Sequence, residues 1–426
     1  MLQNTVLTLC LVVLAGCAPH ARSAVRPVAG ATPEGALTSH VGQAGGAMEG
    51  TPTAEETDAA RRQADWLQAA HLGPYAGSLQ DWELILDEAR REGKVTVYSS
   101  SSRIKHAAEE FAARYPEIQV EALDVGTKDA ILALQHEQST ADHRCDVYFA
   151  GSAPVLHQEL LVEGLAWTFV PDGALGALPD KYRSPLVQRL SLDVVIYNSD
   201  TYEAPPIDNW WDLTRPEWKA KTVMRDPAHL PDGMHLFVAM TQHPEQMALA
   251  YETEFGEPMH LAEECDNAGY QWIRDFLAAE PVFLPGAIEV AEAVGSADQF
   301  DPPIGICPYA QYSKVIRHNL YFEPLFDLSP FSGIASSTCL AIANRAPHPN
   351  AAKLMIRWLM GDPTQDRVGG FAPWWTLGEY SPRADIPDPE HSHPWSEVAA
   401  SLWPLDNRLA HGEVDRVRSF WLNHLH

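Results

Sequence analysis

Two hydrophobic periods take turns along most of this chain. Residues 95–98 (VTVY) are β-branched and aromatic, which predicts a short buried strand. From Ile104 the spacing changes: Ile104, Ala107, Ala108 and Phe111 share one helical face, and the pattern stops near Tyr115-Pro116. The alternation then repeats. Residues 118–123 (IQVEAL) predict a strand, 127–138 (TKDAILALQHEQ) a helix, 145–151 (CDVYFAG) a strand and 152–164 (SAPVLHQELLVEG) a helix. Strands separated by helical stretches predict an α/β fold with a mostly parallel sheet. Further on, 189–200 (RLSLDVVIYNSD) reads as a strand running from one polar surface to another, followed by a Pro- and Trp-rich segment at 204–229. A helix at 287–295, a strand at 302–312, and a strand with a long amphipathic helix at 329–361 complete the pattern. Strands near Val194 and Leu340 that both cross between lobes would form a two-strand hinge.

Between the first of these strands and its helix stand Ser99, Ser100, Ser101 and Ser102. One serine at a helix start is an ordinary cap. Four predict a loop that presents hydroxyls and backbone N–H groups to something bound there. Ligands of open α/β sheets sit beyond the carboxyl ends of the strands. The serine loop and Gly151-Ser152 follow two such ends, so Ser152 joins the expected cleft.

The chain opens on an apolar run at 6–15 that stops at Gly16-Cys17. The run is too short to span a bilayer and fits a secretory signal, although no Lys or Arg precedes it. Leu14-Ala15-Gly16-Cys17 reads as a bacterial lipobox, which makes Cys17 the lipid-bearing residue. Residues 1–17 are therefore expected to be a signal. Residues 18–57, rich in Ala, Gly, Pro, Thr and Ser, are expected to be a flexible tether. Helical patterns at 57–70 and 79–94 place the start of ordered structure near Asp58. The chain from Asp58 onward is long enough for two lobes, expected at 58–193 and 194–334, with 335–426 returning to the first lobe and ending in terminal helices.

Asp and Glu total 57 against 30 Lys and Arg, a formal net charge of −27. Such a surface repels nucleic acid and anionic lipid, and both drop out as partners. Outside the signal region four cysteines remain: Cys145, Cys265, Cys307 and Cys339. An exported protein can oxidise them, and three pairings are open. No Cys-x-x-Cys spacing occurs. Enzyme signatures are also missing. There is no Gly-x-Ser-x-Gly elbow, Thr140 stands where a His-Glu-x-x-His zinc motif starting at His136 needs its second histidine, and no phosphate-cradling Gly-x-x-x-x-Gly-Lys appears. His391 and His393 form an isolated His-x-His. The chain is expected not to be an enzyme and to need no cofactor.

Several stretches together carry a family likeness: EGKVTVYSS, CDVYFAGSAP, LSLDVVIYN, WWDLTRPEWKAK, MRDPA, HPNAAKLMIRWLM and GGFAPWWTLGEYSPRADIP. From about residue 82 to 388 the chain resembles the type II periplasmic solute-binding proteins of ABC importers, the group typified by ferric-iron binders. The resemblance implies a two-lobed α/β fold and a monomer. It also implies an envelope location and a lipid-anchored protein that closes on a small solute and hands it to permease subunits. In the ferric binders an adjacent Tyr-Tyr pair supplies phenolate ligands. Tyr309 matches the first tyrosine, Ala310 replaces the second, and Tyr312 can substitute only if the segment is helical. The likeness also brings Tyr98 and His229 near the cleft. The competing reading is an anionic organic solute held by Ser99, Ser100, Ser101, Ser102 and Ser152 at helix starts, with Arg225 as a charge-assisted partner. Tyr309 and Tyr312 then wall the pocket. A sensor that presents its solute to a receptor is the alternative of another class.

Overall fold

The computed structural model describes residues 54–426 apart from 78, 231 and 426. The expected signal, Cys17 and nearly all of the expected tether lie outside the described residues. Eight strands carry the architecture: β1 (Lys94–Ser99), β2 (Gln119–Asp124), β3 (Val147–Ala150), β4 (Leu186–Asn198), β5 (Thr222–Met224), β6 (Val282–Phe283), β7 (Ile304–Pro308) and β8 (Gly333–Ala343). They run in the order β2-β1-β3-β8-β4-β7-β5-β6 within a twelve-stranded sheet, whose four further short strands pair with β4 and β8.

The pairing divides the sheet. β1 is parallel to β2 and β3, and β5 is parallel to β6 and β7. Between these sets, β4 and β8 run antiparallel to each other and to their outer neighbours. The result is two parallel half-sheets joined through a long antiparallel pair, with the hydrogen-bonded ladder continuous across the joint. β4 has 13 residues, about 40 Å of extended chain at ~3.3 Å per residue, enough to serve both halves.

Eight helices matter here: α1 (Ala54–Ala69), α2 (Trp82–Glu92), α3 (Ile104–Arg114), α4 (Thr127–Thr140), α5 (His235–Gln242), α6 (Ala268–Ala278), α7 (Pro349–Leu359) and α8 (Asn407–His424). α2 starts on an Asp81 cap to the Leu84 N–H and stops at Gly93, whose φ of 68° suits a left-handed end. Its Glu92 carboxylate then accepts from the Asn350 and Ala351 N–H groups, so it caps α7. Among the described residues no helix is long and apolar enough to cross a membrane.

Two apolar cores result. The first gathers Val97, Phe111, Phe149, Leu340, Met355 and Leu359 around the β1 half-sheet. The second gathers Trp210, Trp211, Phe237, Trp272, Phe276 and Trp421. Trp210 and Trp211 are fully buried, as expected of packing residues. α8 joins the second core through Ala410, Val417 and Trp421. It also touches the segment at 153–161, beside the first core, where His411 Nε2 stands 3.9 Å from the Glu159 carboxylate. The four cysteines outside the N-terminal region are all buried and free. None of the three pairings that the sequence leaves open is formed.

Asp146 shows how the first core is pinned. Fully buried, its carboxylate accepts from the Thr96 N–H at 2.7 Å, the His348 N–H at 2.8 Å and His348 Nδ1 at 3.0 Å. The hydrogen bond to Asp146 is the main reason His348 is held above its ordinary pKa. That stabilisation is fully present below the ordinary histidine value near ~6.5 and is lost as pH rises through the raised native value. Asp146→Asn is therefore expected to cost about 1–3 kcal/mol at pH 5 and less at pH 8. Urea midpoints at the two pH values check this, and an equal loss at both removes His348 from the account.

Candidate functional site

The strand ends of both half-sheets open onto one cavity of about 420 Å³. β4 and β8 form its floor. Successive side chains on a strand alternate between faces, so Arg189, Ser191 and Asp193 share the face turned to the cavity while Leu190, Leu192 and Val194 turn into apolar surroundings. Ser336 and Thr338 of β8 stand opposite Ser191 and Arg189 in the ladder. The register shifts between Thr338 and Cys339, a local irregularity of the kind that re-aims side chains beside sites. One wall comes from Ser100, Gly151 and the start of α4 at Gly126 and Thr127. Gly126 has a φ of 77°, which lets the chain turn sharply into α4 with its N-terminal end at the cavity. The opposite wall carries Arg225, Asp232 and Cys307.

The charges are arranged in partly compensated pairs. Arg189 Nε lies 3.0 Å from the Glu379 carboxylate, which also accepts from Ser191 Oγ at 2.6 Å. Arg189 Nη1, by contrast, is buried with no hydrogen-bond partner in the protein. Burial pushes Asp193 up to about 6, with the Arg225 guanidinium pulling the other way. Asp232 Oδ1 is likewise buried and unpartnered. Its nearest basic group is His235 Nε2 at 3.8 Å, and burial holds His235 below its ordinary value. A Cβ placed on Gly151 would lie 3.0 Å from Asp232 Oδ2, so the two walls approach closely here.

The sequence-derived residues distribute unevenly over this site. Of the serine quartet, Ser100 lines the cavity. Ser99 is buried, and its Oγ accepts from the Ser101 N–H at 3.0 Å. Ser101 Oγ accepts from Trp374 Nε1 at 3.2 Å, and the Ser102 carbonyl accepts from the Lys105 N–H. Ser99 thus binds the turn's own backbone, Ser101 ties it to Trp374, and Ser102 contributes a backbone carbonyl while its residue is exposed. Trp374 is fully buried and meets Phe149 edge-on. Ser152 sits just behind the wall in a left-handed conformation (φ 62°), with its Oγ buried and unpartnered. Arg225 faces the cavity, while the adjacent Asp226 binds the Ala228 N–H and His229 Nδ1. The His229 ring is 78% exposed and does not line the cavity.

Tyr309 and Tyr312 share a short 3-10 turn, and their rings stack with centroids 5.7 Å apart. The helical geometry that a substitute second tyrosine requires is present. Neither ring lines the cavity. Their hydroxyls pair elsewhere, Tyr309 with His393 Nδ1 and Tyr312 with Glu323, each at 2.8 Å. Burial is the first cause holding both phenols above their ordinary values, which opposes phenolate formation. Tyr98 is in the first core, donating to Glu137. A cluster of Asp208, Asp212 and Glu254 is neutralised in part by Arg215, which bridges Asp212 and Glu254.

Arg189, Asp193, Asp232 and Thr127 were not singled out by the sequence. The alternation in RLSLD was the available signal, since three polar side chains on one face of an otherwise apolar strand mark a buried polar surface.

Two half-sheets, a crossing strand pair and a polar cavity at the strand ends make a two-lobed α/β fold that solved structures of periplasmic and ferric-iron-binding proteins share. Iron-bound HitA from Pseudomonas aeruginosa shares it at 16% identity and a TM-score of 0.58, over 78% of this chain and 99% of that one. The Trichodesmium IdiA (FutA) protein in complex with iron and citrate matches at 14% identity and 0.55, over 78% and 99%. A Bordetella ferric binding protein matches at 19% and 0.53, over 78% and 98%. No protein-family model and no curated protein sequence matches the chain. At these identities the likeness establishes the fold.

Proposed function

We propose that this chain is the extracytoplasmic solute-binding component of an ABC importer and that it captures a small organic solute bearing an oxyanion. The observation that carries the reading is Arg189 Nη1, buried without a partner on a cavity that Arg225 also lines and that receives the N-terminal end of α4. A buried guanidinium edge left unpaired is costly, and an oxyanion satisfies it with charge-assisted, bidentate geometry. The cavity volume is in the range of small-molecule sites. Binding would favour closure by as much as the solute prefers the closed arrangement. No bond in the solute needs to change, so the role is not enzymatic. Lipidation at Cys17 would keep the protein at the membrane beside its permease.

The ferric reading is the second one. The solved structures that share the fold include iron-bound proteins, and Tyr309, Tyr312 and Glu323 group oxygen donors in one place with the imidazole of His393. Iron would have to displace the two existing hydroxyl contacts. One experiment separates the readings. The full-length chain is stripped of bound solute by unfolding and refolding, then titrated calorimetrically with carboxylates, phosphonates and ferric citrate. Arg225→Gln is expected to weaken oxyanion binding about 10- to 100-fold, while the Tyr309→Phe/Tyr312→Phe double variant leaves it intact. Iron binding that vanishes in the tyrosine variant, with Arg225→Gln silent, would reverse the assignment.

A further inference from the structure

The cavity holds more acid than an oxyanion site requires. Arg189 is matched by Glu379, and Arg225 is opposed by Asp193. That leaves Asp232 over. Among the described residues its only basic neighbour within ion-pair distance is His235, and the 3.8 Å separation is too long for a hydrogen bond. His235 is buried, which favours its neutral form. Two unpaired buried atoms of opposite polarity therefore line or border the same space: Arg189 Nη1 is a donor, and Asp232 Oδ1 is an acceptor on a carboxylate. They come from different elements, β4 and the loop before α5. A Cβ on Gly151 would press on Asp232 Oδ2, so the carboxylate stands close against the opposite wall.

We propose that the solute is amphoteric, carrying an ammonium group for Asp232 as well as the oxyanion for Arg189 and Arg225. This rests on the solute-capture reading above and narrows it. A purely anionic solute would satisfy the guanidinium edge and leave Asp232 facing it, a repulsive arrangement that selects against such solutes. A purely cationic one would leave Arg189 unpaired. Sites built to pair with a specific polar group discriminate strongly against ligands lacking it, because the orphaned group stays buried. A carboxylate, sulfonate or phosphonate can each supply the oxyanion; the ammonium is the part that the cavity adds.

The test uses the full-length chain and matched probes at pH 7.5: 3-aminopropionate, 4-aminobutyrate and 3-aminopropanesulfonate, each beside its deaminated counterpart, with propylamine and 1,3-diaminopropane as the cationic controls. Calorimetric affinity is expected to favour at least one amphoteric probe over its deaminated partner and both amines by tenfold or more. Asp232→Asn should reduce that preference to below threefold, with the urea midpoint confirming that the variant is folded. Deaminated probes that bind as tightly as amphoteric ones, or a preference untouched by Asp232→Asn, would overturn the proposal while sparing solute capture. Failure of every oxyanion probe, with ferric citrate binding instead, would overturn the capture of an organic oxyanion itself.

Discussion

Asp193→Asn is expected to make the protein more stable by roughly 2–3 kcal/mol at neutral pH. Asp193 is raised from 3.8 to about 6 because burial disfavours its charge more than Arg225 supports it. A group whose native pKa is raised in this way binds its proton more tightly when folded. The penalty is therefore complete above about pH 6 and disappears as pH falls below the unfolded value near 4. Wild type and variant should converge in stability between these limits and stay together at lower pH. Urea unfolding at pH 4, 5, 6 and 7.5 measures the convergence. A variant less stable than wild type at pH 7.5 would mean that the Asp193–Arg225 attraction outweighs desolvation. The binding consequence runs in parallel: with a neutral amide at 193, Arg225 is unopposed, and oxyanion affinity should rise. The native carboxylate thus trades stability for a tempered cation in the cavity.

Trp210→Ala is expected to cost about 3–5 kcal/mol, the range for deleting a large buried aromatic side chain. Trp210 is fully buried, its ring stacks on Phe331 with centroids 5.2 Å apart, and it meets Trp272 edge-on at 5.6 Å. Its Nε1 donates to the Phe331 carbonyl at 2.7 Å. Alanine removes both the packing and the donor. Trp210→Phe keeps much of the ring contact but orphans that carbonyl, and should cost about 1–3 kcal/mol. Chemical denaturation of the two variants separates packing from hydrogen bonding. Near-equal losses would assign most of the contribution to the indole N–H.

The first strand and helix were legible because their periods are local: Val95–Tyr98 and the Ile104, Ala107, Ala108, Phe111 face need no distant partner to be recognised. The two-strand crossing near Val194 and Leu340 was also readable, from the order of strands alone. The roles of the serines were not. Whether Ser101 faces a ligand or a tryptophan is decided by Trp374, 273 residues away. The same holds for Tyr309, whose hydroxyl partner His393 is 84 residues along. Asp232 was hidden for a different reason. An aspartate in a Pro- and Gly-containing loop looks like ordinary turn chemistry until the opposite wall is brought against it. Sequence pattern conveys which face of an element is wet, but not what stands across from it.

The C-terminal helix α8 has a mechanical consequence. A molecule whose halves are joined through two crossing strands can bend about them with little to restrain the angle. Here α8 is bolted into the second core by Trp421 and also abuts the 153–161 segment beside the first. It acts as a stay across the joint. Any widening of the cavity mouth must either peel the helix from that segment or carry the segment along. The work of widening is then set in part by surfaces remote from the cavity, so the residence time of any molecule held there would be governed from the far side of the protein as well as from within.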